Sequence, residues 1–296
     1  MRRRWSTPSR GTSGRRRRAG PWAGPCATTS PQRGLSLHPE SASSGSLPSV
    51  RRAAQVVCGS DDGYPPAVRK VSLGVVCDFD GTATLLDIGD EISKHFGGTA
   101  HWEAEHARFR KGELDTRGII EAIYTKVFAS EAEVCDFAAW AARLRPGFDD
   151  LVRACKDRDA PFILASGGLR QYVETVLDRH LSADLRSHVR VMANEGLFGS
   201  QGLKVHFPGR SRATELGCDV CGSCKRVAVA ELRALGAGHV VGIGDGFADR
   251  CLARTADSLW AREGSYLHRF CIENGIPHTP FTTLVPVAHA VATFEA

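Results

Sequence analysis

An apolar run from Val71 to Cys77 passes directly into Asp78-Phe79-Asp80-Gly81-Thr82. The run reads as a buried strand. Two carboxylates at i and i+2, where a strand gives way to a glycine-containing turn, can both face one cleft beyond the strand's carboxyl end. Open α/β sheets bind their ligands in that place. Taken alone, an Asx-turn that merely ends a strand has the same composition. The rest of the chain has to decide between the two.

Strand-like runs recur along the chain at Pro161–Ala165, Val189–Ala193, His239–Gly244 and Ser258–Ala261. Helical patterns lie between them, near Gly147–Arg158, Arg170–Arg179, Lys225–Leu235 and Ala248–Ala256. Such alternation predicts an α/β fold with a parallel sheet covered on both faces. One stretch, from Asp87 to about Arg145, holds no good strand. Ile92, His95 and Phe96, then Trp102 and Phe109, then Ile119, Ile120, Ile123, Tyr124 and Val127 recur there at helical spacing. The pattern predicts a helical insertion over the carboxyl end of the first strand, placed to act as a water-excluding lid.

The 296 residues suit one large domain or one domain with an insertion. The net charge of +5 is unevenly placed, because residues 1–60 hold 11 Arg and one Glu. What remains is mildly acidic. Residues 1–65, rich in Arg, Ser, Gly and Pro and without a hydrophobic period, are expected to be a disordered tail. An organelle transit peptide and a start codon assigned too far upstream both fit that composition. A polyanion-binding arm around Arg15–Arg18 ranks below them, so nucleic acid is not an expected partner. The expected location is therefore cytoplasmic, or an organelle interior if the tail is a transit peptide. No apolar stretch approaches the roughly 18 residues that span a bilayer, so no membrane partner is expected.

Three further elements sit on predicted strand ends. Ala165-Ser166-Gly167-Gly168 offers a hydroxyl and close-approaching backbone N–H groups, as a phosphate oxygen needs. An ordinary N-cap would look similar. Lys225 opens a helix just before the fourth strand. Gly244-Asp245-Gly246-Phe247-Ala248-Asp249 places two acids four apart, on one side of a forming turn. Oxygen-only carboxylate partners suit Mg²⁺ better than Zn²⁺. Each element alone has a plain structural explanation. Four in this order, each on a strand end, point to phosphoryl transfer, where positioning and charge neutralisation do most of the work.

With these four elements the chain resembles the haloacid dehalogenase superfamily in its phosphatase branch, over about residues 71–290. The resemblance implies a Rossmann-like three-layer core, residues 66–86 and 146–296, with a helical cap, residues 87–145, like that of phosphoserine phosphatases. Ala165-Ser166-Gly167-Gly168, Cys221-Gly222-Ser223-Cys224-Lys225, Leu259-Trp260-Ala261-Arg262 and His278-Thr279-Pro280-Phe281 resemble the 2-hydroxy-3-keto-5-methylthiopentenyl-1-phosphate phosphatases. Gly246 departs from the Ser or Asn usual in that family. By resemblance, Asp78 is the nucleophile that becomes an aspartyl phosphate and Asp80 the general acid and base. Asp78, Asp80, Asp245 and Asp249 hold Mg²⁺. Ser166, Gly167, Thr82 and Lys225 bind the phosphoryl oxygens, and Asp87 contacts substrate. The implied partner is a small phosphorylated metabolite, and the protein a monomer or homodimer. A phosphotransferase or mutase on the same scaffold, and a non-enzymatic polyanion binder acting through the tail, are the rival readings. Among cap residues, Lys94, His95, Trp102, His106, Arg108 and Arg110 are candidates for substrate choice.

Ten Cys in a chain of this size, without an export signal, are expected to be reduced. Cys218, Cys221 and Cys224 form C-x₂-C-x₂-C, which could hold Zn²⁺ with a fourth ligand such as His206 or Asp219. No second paired half is evident, so a structural or redox-sensitive loop is the favoured reading.

Overall fold

The computed structural model describes residues 72–295. The Arg-rich segment, residues 1–65, lies outside the described residues. Seven strands form one sheet: β1 (Leu73–Cys77), β2 (Phe162–Leu169), β3 (Val189–Leu197), β4 (Lys204–His206), β5 (His239–Gly244), β6 (Ser258–Arg262) and β7 (Thr279–Phe281). Their order is β4-β3-β2-β1-β5-β6-β7. All neighbours run parallel except β3 and β4. The chain therefore leaves β1 toward β2 on one side and returns to β5 on the other. That reversal opens a crevice beyond the carboxyl end of β1.

Alternation along the central strands builds a core on each face. Val75, Cys77, Phe162, Leu164, Val241 and Ile243 fall in one buried cluster, and Val76, Ile163, Ala165 and Val240 in the other. Two-sided burial is why these strands read as continuous apolar runs. Each Val, Leu, Ile or Phe among them contributes about 1.5–3 kcal/mol of burial. Helices α5 (Phe148–Asp157), α6 (Arg170–His180), α7 (Ala183–Arg186) and α11 (Val285–Ala292) cover the first face. Helices α9 (Lys225–Ala234) and α10 (Tyr266–Asn274) cover the second, and α8 (Arg210–Glu215) precedes α9.

Four helices form the insertion between β1 and α5: α1 (Ile88–Ile92), α2 (Thr99–Arg110), α3 (Thr116–Tyr124) and α4 (Glu131–Ala141). Local chemistry starts three of them. Asp87 accepts from the Asp90 N–H at 2.8 Å, Asp115 from the Gly118 N–H at 2.6 Å, and Ser130 and Glu133 close a reciprocal capping box. The apolar positions Ile92, Ile119, Ile123, Tyr124 and Val127 bury into the first-face cluster, so the insertion shares the core of the sheet.

The expected helix at Ala248–Ala256 is instead two short 3₁₀ turns, Ala248–Arg250 and Leu252–Arg254. The Asp249 carboxylate accepts from the backbone of Asp245 and Gly246, which tightens the segment against the strand end. Strands β4 and β7, three residues each, carry too little periodicity to stand out in the sequence.

Candidate active site

The site is assembled on the loop after β1. The Asp78 N–H donates to the Ile243 carbonyl at 2.9 Å, which extends the β1–β5 pairing up to the first acid. Gly81 turns the loop at φ 76°, and a Cβ there would come within 2.9 Å of Asp245 Oδ2. Only glycine meets both demands without strain. Arg145, buried behind the loop, donates to the carbonyls of Thr82 at 2.7 Å, Gly81 at 2.6 Å and Thr84 at 3.1 Å.

Lys225, the first residue of α9, places Nζ 2.9 Å from Asp78 Oδ1 and 3.1 Å from Asp249 Oδ1. The second contact is an ion pair without hydrogen-bond geometry. Lys225 is only 2% exposed, and so deep a lysine persists only when paired. Burial pulls its pKa down, but the attraction of Asp249 and Asp78 outweighs this and leaves the ammonium firmly charged. Asp249 Oδ2 accepts from the N–H groups of Asp245 at 2.9 Å and Gly246 at 2.8 Å. Asp245 accepts from Thr82 Oγ1 at 2.7 Å and from Arg262 Nη2 at 2.8 Å. Carboxylate oxygens of Asp78, Asp245 and Asp249 lie within 4.8 Å of one another. Burial, then repulsion from Asp249, raises the pKa of both Asp78 and Asp245. Three crowded carboxylates against two cations leave an excess of negative charge. Hard oxygen donors with that excess fit a divalent ion such as Mg²⁺.

Asp80 points the other way. Its Oδ1 accepts from the N–H of Ile88 at 2.9 Å and more weakly from Gly89 at 3.4 Å. Its Oδ2 accepts from Tyr172 Oη at 2.9 Å and Ser166 Oγ at 3.1 Å. Burial raises its pKa to about 6, against the opposing pull of these hydrogen bonds. A carboxyl poised there can give and take a proton near neutrality.

Asp78, Asp80, Lys225 and Asp249 border a cavity of about 200 Å³. Gly167, Gly168, Gly246 and Phe247 complete its floor, and Ile119, Ile120, Ile123 and Tyr124 from α3 face them. Asp87, Asp90 and His106 lie at the cap side. Two residues expected on the phosphoryl oxygens stand elsewhere. Thr82 does not border the cavity, and its hydroxyl holds Asp245. Ser166 is fully buried, donates to Asp80 and accepts from the Gly168 N–H at 2.8 Å. Asp87 reaches the cavity while capping α1.

Of the six cap residues picked for substrate choice, only His106 borders the cavity. Lys94 lies over the Trp102 ring and pairs with Glu91, His95 stacks on Phe137, and Arg108 pairs with Glu105. Arg110 is exposed. Tyr172 and Arg145 escaped the sequence reading, and Arg262 entered it only within Leu259-Trp260-Ala261-Arg262, without a role. Their contacts join segments far apart in the chain. Gly168 was a trace of Tyr172, since a Cβ there would strike the phenol at 1.7 Å. The Cys218, Cys221 and Cys224 thiols gather with Cys251, and neither His206 nor Asp219 belongs to that group.

The profile of the haloacid dehalogenase-like hydrolases matches residues 75–254. The chain is 31% identical over 228 residues to 2-hydroxy-3-keto-5-methylthiopentenyl-1-phosphate phosphatase of Geobacillus thermodenitrificans, covering 76% of this chain and 98% of that protein. A HAD family hydrolase from Salmonella enterica serovar Typhi superposes with a TM-score of 0.58 at 15% identity, over 76% of this chain and 73% of that one. A phosphoserine phosphatase from T. onnurineus does so with a TM-score of 0.55 at 16% identity, over 79% of this chain and all of that one (100%). These two likenesses are of fold. Among the described residues no helix is long and apolar enough to cross a membrane. With its motifs gathered at one switch point under a helical cap, the chain belongs to the haloacid dehalogenase-like hydrolases, as a phosphatase.

Proposed function

We propose that this phosphatase depends on Mg²⁺ and removes phosphate from a small metabolite through an aspartyl phosphate on Asp78. The observation that carries the reading is the Asp78 carboxylate, 2.9 Å from a buried ammonium and bordering a cavity beside Asp80. Asp78 attacks phosphorus in line with the ester oxygen. Asp80, protonated up to about pH 6, gives its proton to the leaving alkoxide. The resulting carboxylate then accepts a proton from the water that hydrolyses the acyl phosphate. Lys225 holds an equatorial phosphoryl oxygen, and the N–H of Gly167, which also borders the cavity, holds another. Asp78, Asp245, Asp249 and the Asp80 carbonyl would hold Mg²⁺. The ion would neutralise phosphoryl charge and offset repulsion between the nucleophile and its substrate.

The cavity narrows the substrate. A volume of about 200 Å³ suits a small phosphorylated molecule. Ile119, Ile120, Ile123 and Tyr124 offer an apolar wall, and among the described residues no arginine borders the cavity. An α-carboxylate such as that of phosphoserine would lack its usual guanidinium partner. A thioether or aliphatic tail would find cover. This favours 2-hydroxy-3-keto-5-methylthiopentenyl-1-phosphate, the substrate named for the Geobacillus relative. Phosphate release from that ester, from phosphoserine and from an aryl phosphate, with and without Mg²⁺, tests the reading. A higher kcat/KM on phosphoserine would overturn the substrate assignment. Full activity in a chelator would overturn the metal.

A further inference from the structure

We propose that Cys218, Cys221, Cys224 and Cys251 form a second metal centre, a tetrathiolate site for one structural Zn²⁺. The first three come from the loop between α8 and α9, and the fourth from between the two 3₁₀ turns after β5. Their Sγ atoms all lie within 4.8 Å of one another. In a ZnS₄ tetrahedron with Zn–S near 2.3 Å, the sulfurs stand about 3.8 Å apart. A small contraction of the observed cluster reaches that spacing.

The shell around the thiols fits a closed site. Cys218, Cys221 and Cys224 are 5%, 5% and 3% exposed, and they pack with Ala213 and Val227. Leu216 and Met192 close over them. Cys251 is half-buried, and four protein sulfurs would fill every position of a tetrahedral ion, which marks structural rather than catalytic zinc. All four cysteines are free thiols. Apolar packing alone explains one or two buried cysteines, but not four sulfurs converging from two segments. A disulfide would use two of the four and leave the others in place. Arg226 supplies positive charge beside the site, since its guanidinium binds the Leu216 and Gly217 carbonyls next to Cys218. Loading the ion displaces the thiol protons to solvent.

The two metal chemistries are separated by donor type. Sulfur-only ligands select a soft or borderline ion, and the carboxylate cluster selects a hard one. None of the four cysteines borders the cavity. Yet Cys224 is the N-cap of α9 and directly precedes Lys225, and Cys251 lies two residues after Asp249. One ion on these sulfurs would staple together the segments that carry the Lys225–Asp249 ion pair. The same loop accepts a hydrogen bond from the cap, Arg117 N–H to the Val220 carbonyl at 3.1 Å.

The test is metal content, which does not depend on the substrate reading. The full chain is purified under reducing conditions from zinc-supplemented cells and assayed by mass spectrometry of its metals. The expected result is about one zinc per chain, released by a mercurial thiol reagent. Cys251→Ser should lower zinc several-fold, while Cys135→Ser, outside the cluster, should leave it unchanged. Cobalt loading of the unsubstituted protein gives a readout that needs no variant to fold. It should show the intense visible bands and thiolate charge transfer of tetrahedral sulfur coordination. Reduced protein that holds no zinc and takes none up, cobalt protein without thiolate bands, or stoichiometric iron in place of zinc would each overturn the proposal.

Discussion

The floor of the cavity and its roof are held by different forces. On the floor every acid is fixed by charge or by backbone. Lys225 clamps Asp78, two N–H groups fix Asp249, Thr82 and Arg262 fix Asp245, and Tyr172 with the Ile88 N–H orients Asp80. The roof presents Ile119, Ile120, Ile123 and Tyr124, which touch a ligand through dispersion and water exclusion. A charged floor with little freedom is suited to one reaction. An apolar roof can change its side chains without disturbing that reaction. The comparison predicts that floor substitutions act on turnover, and roof substitutions on the choice of ester.

The largest effect is expected at the nucleophile. Asp78→Asn should lower phosphate release by at least about 10⁴-fold on any ester, as loss of a covalent nucleophile does. Retention of most activity on an aryl phosphate would sink the aspartyl-phosphate route. Next comes Arg145→Met, which strips partners from the Gly81, Thr82 and Thr84 carbonyls. Each buried carbonyl left unpaired costs about 1–3 kcal/mol, so urea unfolding should show a clear loss of stability. Turnover should drop with it, because the loop carries Asp78 and Asp80. An unchanged urea midpoint would show that Arg145 is dispensable to the floor.

A smaller effect tests the poise of Asp80. Burial raises its pKa to about 6 and the Tyr172 hydrogen bond opposes the rise. Tyr172→Phe removes the opposing bond, so the pKa should climb further. The acid then stays protonated to higher pH, and the alkaline limb of kcat/KM should shift upward. A limb that stays put would dismiss Asp80 as its source. The same group has a signature in stability. Its pKa is higher folded than unfolded, so the fold loses stability as pH rises from about 4 through about 6. Asp80→Asn should reduce that decline in a pH series of urea titrations, leaving the share of Asp78 and Asp245, which burial also raises.

The smallest effect belongs to the roof. Ile120→Ala should raise KM for the thioether ester by about 10-fold, the scale of lost methylene contacts in a pocket, while leaving kcat on an aryl phosphate near its original value. Equal damage to both substrates would erase the distinction between floor and roof.

Most of the residues that sequence alone could read lie on or just past strand ends, with Lys225 at the start of α9. Strand continuity points Asp78 and Asp80 forward from β1, and Asp245 follows β5 in the same way. The parallel sheet then brings them together, whatever the remaining side chains do. The helical insertion was equally legible, because its apolar positions repeat at helical spacing and their burial repays that pattern. Partners that act across the sequence were not. Thr82 and Ser166 carry hydroxyls that motif logic sends to phosphate, yet each turns to a nearby carboxylate.

What the sequence determined by itself is the alternation of the longer strands with helices and the acids at their junctions, since both follow from local period and turn chemistry. Only the tertiary structure decided which cap residues border the cavity, that Tyr172 and Arg262 hold two of the acids, and that Cys251 joins the other thiols. Those outcomes depend on distances between segments remote in sequence, and such distances are set by how helices pack on a twisted sheet, which no local pattern encodes.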